Sequence, residues 1–77
     1  MFETLKSMLV DELSVNETDI SPEAELVNDL GINSLELADL VLLCEERFGI
    51  EISDEEVREF LTVGDVAAYL EKATAAK

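Results

Sequence analysis

Seventy-seven residues suffice for one small domain, 1–77, and one modest core, so a deep enzymatic cleft is not expected. With 48% hydrophobic and 31% charged residues the chain has enough apolar material to pack, which separates it from a disordered acidic tail. Nineteen acidic against five basic residues give a net charge of −14, which repels nucleic acid and anionic membrane and favours basic protein surfaces as partners. The same charge repels itself in the compact state, so stability is expected to rise with salt. The absence of histidine removes imidazole bases and the commonest nitrogen ligand of metals. One cysteine, Cys44, cannot close an internal disulfide, and no stretch resembles a signal peptide or a membrane span. A soluble, monomeric, cytoplasmic protein is expected.

The first predicted element places Phe2, Leu5, Met8, Leu9 and Leu13 at helical steps with charged residues between them, and should stop near Val15-Asn16. From 16 to 33 a long connection follows, in which Ser21-Pro22-Glu23 can open one helical turn. Its apolar residues Ile20, Leu26, Val27, Leu30 and Ile32 are expected to pin it to the core.

A second helix should begin after Asn33, paired with Glu36 as a capping box, and end at Phe48-Gly49. Ile50-Glu51-Ile52 then reads as an extended link. Ser53 with Glu56 opens a short third helix over 54–60, and Thr62 with Asp65 opens a fourth, in which Val63, Val66, Ala67 and Leu70 recur before an Ala/Lys tail frays. The predicted fold is all-α: a small four-helix bundle of three longer helices and one short one, with a long loop between the first and second.

The second helix carries more apolar surface than one core contact needs. Leu37, Leu40, Val41, Cys44 and Phe48 form a core stripe. Cys44 falls on it, as a small buried hydrophobe would. Leu35, Ala38 and Leu42 form a second stripe beside Glu36, Asp39, Glu45 and Glu46. Such a stripe either packs a neighbour or presents a docking surface, and an acidic rim around a small apolar strip suits brief encounters. On the third helix Asp54, Glu55, Glu56 and Glu59 either extend that acidic surface or serve the helix N-terminus. The loop at 28–33 lacks the alternating oxygen ligands of a calcium loop. Ser34 opens the second helix, where serine is also favoured for capping alone.

The run Asp29-Leu30-Gly31-Ile32-Asn33-Ser34-Leu35-Glu36-Leu37 resembles the signature of the acyl carrier protein family, a glycine-containing loop leading to Asp-Ser-Leu at the start of the second helix. The resemblance extends through Ser21-Pro22-Glu23, Glu45-Glu46-Arg47-Phe48, the acidic run after Glu51-Ile52, and Thr62-Val63-Gly64-Asp65-Val66 before Tyr69-Leu70. It implies that Ser34 receives a 4'-phosphopantetheine arm from coenzyme A by way of a phosphopantetheinyl transferase. Acyl groups then ride on that arm as thioesters, and the chain is a carrier, not an enzyme. Asn33 stands where the family has aspartate: it keeps the shape of a cap but lacks a charge that would assist the transferase or its magnesium. The resemblance further implies that Leu35, Ala38 and Leu42 dock acyl-processing enzymes, that Glu36, Asp39, Glu45 and Glu46 meet basic patches on them, and that Ile52, Val57, Phe60 and Leu61 border a cavity for the acyl chain. Fatty acid biosynthesis is the leading pathway. A specialised carrier for polyketide or aminoacyl transfer, and an unmodified acidic adaptor, are the competing readings.

Overall fold

The computed structural model describes residues 1–75. Helix α1 spans Phe2–Leu13, α2 Ser34–Phe48, α3 Asp54–Glu59 and α4 Val63–Ala75. This is the expected set of three longer helices and one short one, and no strand forms among the described residues. The end of the Ala/Lys tail, expected to fray, lies outside them.

Each helix is bounded by local chemistry. Ser14, at φ 55°, ends α1 in the left-handed conformation, immediately before the predicted stop at Val15-Asn16. Gly49, at φ 63°, ends α2 as expected. The Ser53 hydroxyl accepts from the Glu56 N–H at 3.3 Å and donates to its carboxylate at 2.9 Å. At α4 the Thr62 hydroxyl accepts from the Asp65 N–H at 3.2 Å, while Asp65 Oδ2 accepts from the N–H groups of Leu61 and Thr62. Those backbone donors hold the Asp65 carboxyl below its ordinary range.

The core is built on α1, which packs against both α4 and α2. Leu5, Met8 and Leu9 meet Leu40 and Cys44 of α2 and Val63, Val66, Ala67 and Leu70 of α4 in one apolar cluster. Each fully buried leucine removes enough apolar surface from water to contribute about 1.5–3 kcal/mol. Leu37, Val41 and Phe48, assigned by spacing to the α2 core stripe, are only half-buried at the edge of the cluster. Helix α3 contributes no fully buried residue; it is held by half-buried Val57 and by the flanking Ile52 and Phe60. Leu61, expected to border a cavity with them, is 57% exposed.

The long connection is part of the fold. Its helical turn lies at Glu17–Asp19, capped by Asn16, and not at Pro22 as expected. Pro22 instead takes the second position of a tight turn, closed by the Ala24 N–H donating to Ser21 O at 3.1 Å, where its fixed φ is an advantage. Beyond it the chain runs alongside the α3–α4 junction. The N–H of Leu26 donates to Leu61 O, that of Val63 to Ala24 O and that of Gly64 to Pro22 O, each at 2.9 Å. This seam explains which loop side chains reach the core. Ile20, Ala24, Leu26 and Ile32 are buried and Leu30 half-buried, while Val27 points out of the seam and is 60% exposed, against expectation.

Candidate functional site

The site begins where the long loop delivers the chain into α2. Gly31 turns the backbone at φ 68°, which glycine adopts without Cβ strain. The next residue, Ile32, is buried and its N–H donates to Leu26 O at 3.0 Å. Asn33 is then extended, and its Oδ1 accepts from the Glu36 N–H at 2.8 Å while Glu36 Oε1 accepts from the Asn33 N–H at 3.3 Å. The predicted capping box is therefore formed, and Asn33 is its cap. Ser34 is the first helical residue, is exposed, and takes no part in the cap. Its side chain stands beside the leading N–H groups of a fifteen-residue helix, where the partial positive charge of the helix end favours an anion by roughly 0.3–1 kcal/mol.

A cleft of about 380 Å³ opens at Ser34 and runs between α2 and α3. Leu37, Ala38, Val41 and Leu42 line it from α2, and Ile52, Asp54 and Val57 from the α3 side. Sequence spacing placed Leu37 and Val41 in the core; their half-burial reflects this cleft. Ile52 and Val57 border it as expected, whereas Phe60 and Leu61 do not line it. Phe60 stacks obliquely on Tyr69 with ring centroids 5.4 Å apart, and the Tyr69 hydroxyl donates to Glu51 O at 3.3 Å. The Glu56 carboxylate pushes the Tyr69 hydroxyl up to about 12, and that hydroxyl in turn, with Ser53, holds Glu56 below the usual carboxylate range. These contacts between α4 and the α3 region were not foreseen, because they join residues distant in sequence with no shared periodicity.

Leu35, outside the cleft, is 79% exposed, and Ala38 and Leu42, on the cleft's rim, are exposed as well, Leu42 at 54%. The second apolar stripe of α2 is thus on the surface. The four acids around it differ in their freedom. Asp39 and Glu46 are exposed. Glu36 is engaged in the cap, and Glu45 Oε2 accepts from the Ile52 N–H at 2.8 Å, fastening the link into α3. Leu42, Glu45 and Ile52 also line a neighbouring acidic hollow with Glu46, Glu51 and Glu56. No cluster of metal-ligating side chains occurs among the described residues. Cys44 lies in the core, where desolvation, and secondarily the charge of Glu45, push its thiol up to about 11. A thiol so raised is almost wholly protonated near neutrality and unreactive.

The family described as "Phosphopantetheine attachment site" matches residues 3–70. The acyl carrier protein of Helicobacter pylori strain 26695 is 41% identical over 71 residues, covering 92% of this chain and 91% of that protein. Acyl carrier proteins of two further strains of that species match to the same extent. The chain belongs to the acyl carrier protein family. As an acyl carrier protein it is a carrier and not a catalyst, it bears a covalently attached 4'-phosphopantetheine, and it works with acyl-processing enzymes. The reading as an unmodified adaptor is set aside. No helix among the described residues is long and apolar enough to cross a membrane.

Proposed function

We propose that the arm is attached through the Ser34 hydroxyl and that the chain, acting as one monomeric carrier domain over 1–77 in the cytoplasm, carries acyl intermediates of fatty acid biosynthesis as thioesters. The observation that carries the attachment is the division of labour at the α2 N-terminus. Capping would account for a serine there, but Asn33 performs it, leaving the Ser34 side chain exposed at the mouth of the cleft. When bound, the arm supplies a terminal thiol for thioester formation. The residues of the chain do the rest. The first turn of α2 favours the phosphodiester, Asn33 with Glu36 keeps that turn closed, and Leu37, Val41, Ile52 and Val57 offer an apolar wall to a short acyl chain.

Leu35, Ala38 and Leu42 form the strip on which a phosphopantetheinyl transferase and acyl-processing enzymes dock. Asp39 and Glu46 are the acids most available to basic residues on those partners, because Glu36 and Glu45 already accept backbone bonds. Single exposed pairs contribute only ~0–1 kcal/mol, so their effect on partner affinity is collective, and long-range attraction speeds encounter.

Incubation with coenzyme A, magnesium and a broad-specificity transferase, followed by intact-protein mass spectrometry, tests the attachment. Wild type should gain one phosphopantetheine and Ser34→Ala none. Modification of Ser34→Ala, or none of wild type, refutes it. For the docking strip, Asp39→Lys with Glu46→Lys should slow partner turnover at low salt without unfolding the domain.

A further inference from the structure

Asn33 adjoins the attachment point, and its side chain is only half committed to the cap. Its Oδ1 accepts from the Glu36 N–H at 2.8 Å. An amide nitrogen cannot accept that bond, so the oxygen faces the helix and Nδ2 is turned away from it. Asn33 is exposed, and no hydrogen bond among the described residues uses its Nδ2 as donor. The backbone donors nearby divide in the same way. The Leu37 N–H donates to Asn33 O at 2.9 Å and the Glu36 N–H is capped, whereas the N–H groups of Ser34 and Leu35 have no acceptor within the helix. Two backbone N–H groups and one side-chain amide thus stand on residues 33, 34 and 35, at and on either side of the Ser34 hydroxyl.

A phosphodiester on Ser34 is a monoanion whose two unesterified oxygens accept hydrogen bonds and donate none. Most of the charge around it is repulsive: the chain carries −14, Glu36 lies two residues on, and Asp54 lines the cleft that opens at Ser34. Aspartate at position 33 would cap α2 as well as asparagine does. It would also set a full negative charge on the residue next to the phosphate and offer it no donor. Asparagine keeps the cap and replaces that repulsion with an N–H donor. We propose that Asn33 Nδ2 donates a hydrogen bond to an unesterified oxygen of the Ser34 phosphodiester, so that one side chain both caps α2 and holds the root of the arm at the mouth of the cleft. This rests on the attachment at Ser34 given above and deepens it. The exchange of aspartate for asparagine then brings a hold on the arm as well as a loss of charge.

The test is a thermodynamic cycle of substitution against loading. Wild type and Asn33→Asp are each prepared without the arm and, after incubation with coenzyme A, magnesium and a broad-specificity transferase, with it. Intact mass verifies one phosphopantetheine in each loaded sample, and urea unfolding at low salt is followed by circular dichroism for all four. Any difference between the two caps cancels in the cycle. Loading should favour the folded state of wild type over that of Asn33→Asp by roughly three- to tenfold in the unfolding equilibrium constant. Asn33→Ser, which caps without either the amide or the charge, should fall between them. In isotopically labelled wild type, nuclear magnetic resonance should show the Asn33 Nδ2 protons exchanging more slowly with water once the arm is attached. Equal effects of loading on wild type and Asn33→Asp, or Nδ2 exchange as fast with the arm as without it, overturn the inference while leaving the attachment intact. A wild type that gains no mass, or a Ser34→Ala that does, removes the attachment reading and this inference with it.

Discussion

Gly64→Ala probes the seam that fastens the long loop to the start of α4. The Gly64 N–H donates to Pro22 O at 2.9 Å, and a Cβ at this position would stand 2.8 Å from that same oxygen and 3.5 Å from its carbon. The obstruction is backbone, so no side chain can swing aside, and the flanking bonds from Leu26 to Leu61 and from Val63 to Ala24 hold both segments at that spacing. Relief means parting the loop from α4. Overpacking of this kind costs about 1–3 kcal/mol, and a weakened seam bond adds about 0.5–1.5 kcal/mol. Against this, alanine in a helix in place of glycine returns at most about 1 kcal/mol. The net loss is about 0.5–3.5 kcal/mol, a fall in Tm on the order of 2–28 °C for a domain of this size. Thermal and urea unfolding followed by circular dichroism at fixed salt measures it. Hydrogen exchange should locate the loosening at the amides of Leu26, Val63 and Gly64. Gly31→Ala is the contrast, because nothing lies within 4 Å of its would-be Cβ and its cost comes from the backbone at φ 68°. If Gly64→Ala matches or exceeds wild type in stability, helix propensity outweighs the contact and the seam is not rigid.

Asn33→Ala removes the α2 cap and should cost about 1 kcal/mol in urea unfolding, with slower arm installation at Ser34 because the first turn frays. Asp65→Ala should give a pH-dependent deficit. The folded state holds this carboxyl below its ordinary value of 3.8, so its stabilisation is present above that value and is lost as pH falls through the lower folded one. The gap in Tm between variant and wild type should therefore be full at neutrality and close in acid; a gap constant down to strong acid counts against the cap. Raising monovalent salt from about 10 to 150 mM shortens the screening length from ~30 to ~8 Å and should raise Tm by reducing self-repulsion among the −14 net charges. A flat Tm over that interval contradicts the electrostatic account.

The helices and their caps were legible because their causes are local. Asn33 with Glu36, Ser53 with Glu56 and Thr62 with Asp65 each complete their bonds within three residues, and Gly49 stops α2 through its own backbone freedom. The exposed strip of Leu35, Ala38 and Leu42 was legible as a stripe left over from the core, although spacing alone left open whether a neighbour covered it. Ser34 was legible through the motif, and the Asn33–Glu36 cap already left its side chain free, but its place at the mouth of a cleft between α2 and α3 was not legible. The α2–α3 cleft, the exposure of Val27 and Leu61, the tie of Tyr69 to the α3 region and the closeness of Gly64 to Pro22 were decided by tertiary structure. Each depends on segments brought together across the long connection, where burial is set by which backbone groups pair and not by the hydrophobicity of the residue itself.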